Sequence, residues 1–252
     1  MLRDPGVGFF GSFDLDPWLV SYEIYVTNGF KGLGDALAEN VITRDKGLRD
    51  ARPHDNKVPG TGKYRDFNQN KAVTARLAVA PFLGLELGAS GHSGTYDQGS
   101  DNDLTVYAVD GTISMGGVYN VLFEGEGFVR DLFFATEIVF EKARANIDRD
   151  AFATAAGVPG DFDGWFGEIR VHFLPAFLQS VFQVSDESTF TLVFRKEAVD
   201  TDGDRRDRKA VGLNYRPTED TVFKVEFEWN GEGGLRAKTD NDAFLFSFAS
   251  YF

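Results

Sequence analysis

Apolar and polar residues alternate along most of this chain, most plainly at its C-terminal end. Phe223, Val225, Phe227 and Trp229 alternate with Lys224, Glu226 and Glu228, and after a polar stretch the chain closes on Phe244, Phe246, Phe248, Ser250 and Phe252. Period two marks a strand with one apolar and one polar face. The same pattern predicts about eleven strands in all. They cover residues 7–13, 18–27, 71–80, 85–92, 104–115, 129–142, 165–174, 189–198, 208–215, 221–229 and 244–252. The apolar set includes Val20, Tyr22, Ile24 and Val26, then Val73, Ala75, Leu77 and Val79. Later strands continue it with Ile138 and Phe140, Ile169, Val171 and Phe173, and Phe190, Leu192 and Phe194.

The opposite parity is charged. Its acids are Glu23, Glu86, Asp110, Asp131, Glu137, Glu141, Glu168, Glu197, Glu226 and Glu228, and its bases are Arg76, Arg170, Arg195, Arg208 and Lys224. A soluble sheet buries its apolar face under a second layer. A transmembrane barrel turns that face to lipid and lines its water-filled interior with the polar one. Connection lengths favour the barrel. Residues 14–17, 81–84 and 216–220 read as short turns, and residues 28–70, 93–103, 144–164, 199–207 and 230–242 as long loops. The two kinds alternate, apart from medium connections over 116–128 and 175–188, and short turns on one side with long loops on the other is the barrel habit. The expectation is therefore an all-β, transmembrane antiparallel β-barrel domain over residues 1–252. The odd strand number, together with a start on the long-loop side, suggests that further strands precede it.

Composition narrows the function classes. Of 252 residues, 25 are Phe and none is Cys, which excludes disulfides and thiolate metal sites. A net charge of -13 argues against a nucleic-acid partner, whose phosphates attract bases. The mean hydropathy of -0.24 resembles that of a soluble protein, but lumen-facing residues dilute the hydropathy of any barrel strand. No apolar run is long enough for a transmembrane helix, and Met1 leads into a strand-like run without a signal peptide.

Several stretches resemble the phosphate-selective porin family, the O and P porins of Gram-negative bacteria. They are Pro5-Gly6-Val7-Gly8, Tyr22-Glu23-Ile24-Tyr25-Val26-Thr27-Asn28-Gly29, Val171-His172-Phe173-Leu174-Pro175 and Gly212-Leu213-Asn214-Tyr215-Arg216-Pro217, with Phe246-Ser247-Phe248 and Tyr251-Phe252 at the end. The final Phe is similar to the assembly signal of outer-membrane barrels, although Ser250 stands where that signal often has Tyr. The likeness matches the later part of a family member. It implies a homotrimeric outer-membrane channel of about sixteen strands, in contact with lipid and lipopolysaccharide and open to small hydrophilic solutes or anions such as phosphate. The family's anion-selecting residues cannot be matched one by one, so selectivity does not carry over.

The charged parity gives the candidate pore wall: Arg76, Arg170, Arg195, Arg208, Lys224, Glu23, Glu86, Asp110, Glu137, Glu168 and Glu226. The alternative is paired charge that merely keeps a wet surface soluble. Residues 28–70 carry Lys31, Arg44, Lys46, Arg49, Arg52, Lys57, Lys63 and Arg65 against six acids; they form either a constriction loop or a surface cap. Lys71, Lys142 and Lys196 share the lipid-facing parity, where ammonium groups reach lipid phosphates. Asp200-Thr201-Asp202-Gly203-Asp204 begins like a calcium loop, but Arg205 and Val211 occupy the positions that need Gly and Glu. His54, His92 and His172 show no spacing to a nucleophile and carboxylate that would specify a hydrolase. The reading is a porin without catalytic, metal or cofactor sites. A non-channel structural or adhesive barrel and a soluble all-β binding domain are the alternatives.

Overall fold

The computed structural model describes residues 6–30, 42, 71–97, 101–122, 135–174, 188–233 and 241–250. They form one antiparallel sheet of eleven strands in strict chain order. The strands are β1 (Gly6–Leu15), β2 (Trp18–Thr27), β3 (Ala72–Phe82), β4 (Leu85–Thr95), β5 (Asp103–Ser114), β6 (Thr136–Ile147), β7 (Asp161–Phe173), β8 (Thr189–Thr201), β9 (Asp204–Thr218), β10 (Thr221–Glu232) and β11 (Ala243–Ser250). Each strand pairs with the next, and β1 and β11 are the two edges; no pairing between them closes the sheet. Among the described residues, two helices interrupt the meander, α1 (Met115–Leu122) and α2 (Ala151–Ala155). No helix among the described residues is long and apolar enough to cross a membrane.

All eleven expected strands are present, and residues 18–27 match the expected bounds to the residue. The connections differ more. Residues 199–207, expected as a long loop, are a hairpin: β8 runs to Thr201, β9 starts at Asp204, and only Asp202 and Gly203 lie between. Both have positive φ, 50° and 80°, which is the type I′ geometry that Asp-Gly favours between strands of right-handed twist. Asp200 therefore accepts a bond from the Gly203 amide at 2.8 Å instead of opening a calcium loop. Short and long connections thus do not alternate as the sequence suggested. The sixth strand is displaced toward the C-terminus, ending at Ile147 and not at Lys142. Residues 129–134 and Asp131 lie outside the described residues. Met115, expected at the end of a strand, opens α1, and the connection expected over residues 144–164 is shortened from both ends by β6 and β7.

Directly opposed residues share a face, so the register can be followed across the whole sheet. Glu23 lies opposite Arg76, Arg76 opposite Ser90, and Ser90 opposite Ala108. Farther on, Glu137 meets Arg170, Glu168 meets Arg195 and Glu197 meets Arg208. All of these charges lie on one face. On the other face, Phe9, Phe244 and Phe246 are 73%, 68% and 67% exposed, and Ile24, Leu77, Val109, Ile169, Phe194, Leu213 and Phe227 are exposed with them. Near the 219–220 turn, Phe173, Phe190, Tyr215, Phe223 and Phe248 form a continuous row of rings across β7 to β11. Their neighbouring centroids are 5.9, 4.5, 6.3 and 5.0 Å apart, within the range where aromatic pairs attract.

Among the described residues, a small buried apolar cluster lies on the polar face, at the end of the sheet opposite the ring row. It joins Leu104, Ala145 and Ile147 of the sheet to Tyr96, Ala153 of α2, Val158 and Ile42. Asp150 caps α2 by accepting from the Ala153 amide, and the Asn102 side chain accepts from the Asp150 amide at 3.0 Å. Tyr96, fully buried, donates its hydroxyl to the Asp148 carbonyl at 2.6 Å. Burial, reinforced by the Asp97, Asp150 and Asp148 charges, pushes its pKa from 10.0 up to about 12. Because the native value lies above the unfolded one, this contribution to stability is complete below pH 10.0 and is lost as the pH rises toward about 12. Tyr96→Phe is expected to cost about 1 kcal/mol at neutral pH through the lost hydrogen bond. It should also abolish this part of the alkaline sensitivity. Thermal unfolding of both proteins at neutral and alkaline pH measures the difference.

Candidate functional site

The polar face carries an extended array of charged groups, and strand register sets its order. On β3 to β5, the Arg76 guanidinium donates to Asp110 at 2.6 Å and to Glu86 at 3.3 Å. Gly88 makes room for this pair: a Cβ there would stand 2.5 Å from the Asp110 carboxylate and 2.6 Å from Arg76. Glu23, opposite Arg76, accepts from the Tyr25 hydroxyl at 3.1 Å. Glu141 faces Asp110 across β5 and β6.

The next group centres on Glu168, whose side chain is 2% exposed. It accepts from Arg170 Nε and, at 2.6 Å, from Arg195 Nε. Arg170 reaches on to Glu137 at 3.6 Å, and His172 Nε2 lies 3.5 Å from the same carboxylate. Arg195 also stands over the Phe166 ring at 6.0 Å. Arg208 then bridges Glu197 at 3.1 Å and Glu228 at 3.0 Å. Alternating signs thus run from β6 to β10. Glu226 lies on this face beside Glu228, and Lys224, exposed, makes no ion pair with a described residue. Like charges this close would repel without the interleaved guanidiniums, and a carboxylate as buried as Glu168 needs such partners.

Of the wall residues expected from sequence, Arg76, Arg170, Arg195, Arg208, Lys224, Glu23, Glu86, Asp110, Glu137, Glu168 and Glu226 all fall on the polar face. Most of the bases are paired and not free. The register adds Asp204, Arg206 and Glu232 to this face; they were missed because residues 199–207 were read as a loop and β10 was ended at Trp229. The Asp-Gly pair was the signal that could have found the first two. Arg44, Lys46, Arg49, Arg52, Lys57, Lys63 and Arg65 lie outside the described residues. Their neighbour Ile42, however, is buried in the apolar cluster on the polar face.

Two histidines are held as structural polar groups. His92 Nδ1 lies 2.8 Å from the Thr74 hydroxyl, with Phe30 edge-on at 4.9 Å, and His172 Nδ1 lies 2.9 Å from the Thr191 hydroxyl. His172 thus stands between the Thr191 hydroxyl and the Glu137 carboxylate, which it shares with Arg170 as part of the charged network. Among the described residues, no group of three His, Cys, Asp or Glu is arranged to hold a metal ion. On the apolar face, Lys142 lies 3.9 Å from Asp163, and Lys196 stands over the Trp165 ring at 5.8 Å. Lys71, just ahead of β3, donates to the Asn28 side chain at 2.9 Å.

Comparison with known proteins adds no relative: no protein-family model matches the chain, and no curated protein matches it significantly.

The network ranks its members. Glu168→Ala strands two guanidiniums beside a buried site, and because both are partly exposed the expected cost is about 2–3 kcal/mol. Glu86→Ala breaks an exposed pair and should cost less than about 1 kcal/mol. Denaturant unfolding of the two variants measures the gap; equal losses would show that burial does not govern the network.

Proposed function

We propose that this chain is a porin-like segment of an outer-membrane β-barrel that lets small hydrophilic solutes and ions diffuse passively. The observation that carries the proposal is the separation of the two faces across all eleven strands. In water, an apolar face of this extent without a covering layer would drive association, since soluble monomers rarely expose apolar patches above a few hundred Å². In a bilayer the same face meets hydrocarbon, and the ring row from Phe173 to Phe248 resembles an interfacial girdle. Strands of 10 to 15 residues, apart from the eight-residue β11, are long enough to cross a bilayer at a tilt. The charged face then becomes the wet wall. Its guanidinium–carboxylate track gives passing ions successive weak contacts in place of one tight site.

Lipid also makes the edges decisive. An unpaired backbone group costs several kcal/mol in hydrocarbon, so β1 and β11 must find partner strands. Closure to about sixteen strands, with β1 and β11 paired to strands outside the eleven, is part of this proposal.

A second reading draws on the buried cluster around Tyr96, Leu104 and Ile42. It covers the polar face at one end and supports a barrel with a closed interior, serving a structural or adhesive role. Conductance separates the two. The barrel, reconstituted in planar bilayers, should show stable ohmic steps with a weak preference for cations, because acids outnumber bases on the described wall. A protein that inserts but does not conduct would favour the closed form. Strong phosphate selectivity would assign anion choice to residues 31–70 or to strands beyond these eleven.

Face assignment has its own test. Leu192→Arg and Val225→Arg put a charge on the apolar face and should cost about 2–4 kcal/mol near the bilayer midplane, reducing heat-resistant assembly in membranes. Glu226→Arg, on the polar face, should assemble normally. Equal assembly of all three variants would overturn the membrane reading.

A further inference from the structure

The apolar face is not uniform. Between β6 and β10 it carries a groove of about 850 Å³. Its cause is a single glycine. Gly167 lies opposite Phe140 on one side and Lys196 on the other, and a Cβ added there would meet nothing within 4 Å. Ile138, Phe140, Ile169, Phe194, Val211 and Trp229 form the apolar walls. The row that crosses Gly167 continues from Lys196 directly to Lys209, and from Lys209 to Trp229. Two exposed lysines therefore occupy directly opposed positions at one rim of the groove.

Like charges directly opposed across a sheet destabilise it, and neither lysine forms an ion pair with a described residue. The carboxylates on the same face are already engaged. Asp207 pairs with Arg205 at 3.0 Å while Lys196 and Lys209 act on the same carboxylate from beyond ion-pair distance, and Asp163 lies 3.9 Å from Lys142. Lys196 instead rests against the Trp165 ring. The rows toward the ring girdle, through Ile169, Phe194 and Val211, carry no charge on this face. The lysine pair thus marks the upper limit of the apolar band, on the side of the 148–160 and 202–203 connections.

We infer that this groove is a lipid site. One acyl chain lies over Gly167 between Phe140 and Phe194, and a phosphate bridges the ammonium groups of Lys196 and Lys209. The occupant is a phosphorylated, multiply acylated lipid of the leaflet at that end. Charge complementarity selects the phosphate, and the missing side chain at residue 167 admits the chain. The inference rests on the membrane reading above and adds a particular ligand site to it.

The test uses the complete barrel that contains these eleven strands, refolded in non-ionic detergent and titrated with bisphosphorylated lipid A, with bound lipid counted by native mass spectrometry. Lys196→Gln/Lys209→Gln should weaken binding about thirtyfold, since each surface lysine contributes about 1 kcal/mol toward an anionic lipid. Lys196→Arg/Lys209→Arg should retain it. Gly167→Leu should also weaken binding while leaving both charges in place. Lipid A stripped of phosphate should bind the wild type no better than the double Gln variant. Wild-type affinity in both the Gln pair and Gly167→Leu, or equal binding of the phosphate-free lipid, would overturn the site. Insertion into phosphatidylcholine vesicles, scored by protease protection, is measured in parallel. Insertion with unaltered lipid A binding in the variants defeats this inference alone. A complete wild-type barrel that never inserts defeats the barrel reading and this site together.

Discussion

Antiparallel register is the constraint on which the rest of this structure depends. Side chains alternate strictly along a strand, so a slip of one residue in any of the ten pairings from β1–β2 to β10–β11 would exchange the faces of every strand beyond it. Such a slip between β7 and β8 would bring Arg195 and Glu197 onto the face that now carries Phe194 and Leu192. The pairing is protected by chemistry on both sides. Ring-to-ring contacts favour it on one face, and ion pairs between neighbouring strands favour it on the other. Glu168 illustrates the second kind: it joins Arg170 of its own strand to Arg195 of the next, so misregister would separate a buried carboxylate from a guanidinium.

The same constraint explains why the strands and faces were legible in the sequence. Period-two alternation is a local signal, and each strand here repeats it for several residues. Even the long-range fact that Glu23 and Glu168 share a face follows from local parity once neighbouring strands pair in order. What escaped was local in a different way. The Asp202-Gly203 turn depends on two backbone angles, and the acids around it looked like a cation loop until both φ values proved positive. Helix α1 begins where the apolar alternation of β5 ends, and Met115 reads equally well as either. The burial of Ile42 against Tyr96 and Leu104 joins residues distant in sequence, and no pattern within residues 31–70 announces it. The groove at Gly167 draws its lining from five strands, so a reading of one strand at a time passes over it.

Charge on the two faces is organised differently, and the difference follows from solvent. On the polar face, acids and bases interleave, so that Arg76, Arg170, Arg195 and Arg208 each touch at least one carboxylate. That keeps the face polar while limiting its net field, which in the proposed channel would suit transit without capture. On the apolar face, the charges gather toward one end, where Lys142, Arg144, Lys196, Arg205 and Lys209 stand with Asp161, Asp163 and Asp207. A lysine can hold such a boundary because its alkyl stem tolerates an apolar surface while its ammonium group reaches polar surroundings.

The apolar cluster near Tyr96 completes this arrangement by its position. A soluble sheet protein would concentrate its buried side chains behind the apolar face. Here that face has no cover among the described residues, and the buried side chains gather at one end of the charged face, around α2 and Ile42. Burial of this limited kind cannot supply the driving force for an eleven-stranded sheet, because apolar stabilisation scales with the area withdrawn from water. The much larger area on the opposite face must therefore be withdrawn by something outside the sheet. On the proposed reading a bilayer would do so along the whole strand length at once. It also accounts for the charged rim at one end of that face, the ring row at the other and the uncharged rows between them, which a protein partner of any one shape would leave unexplained.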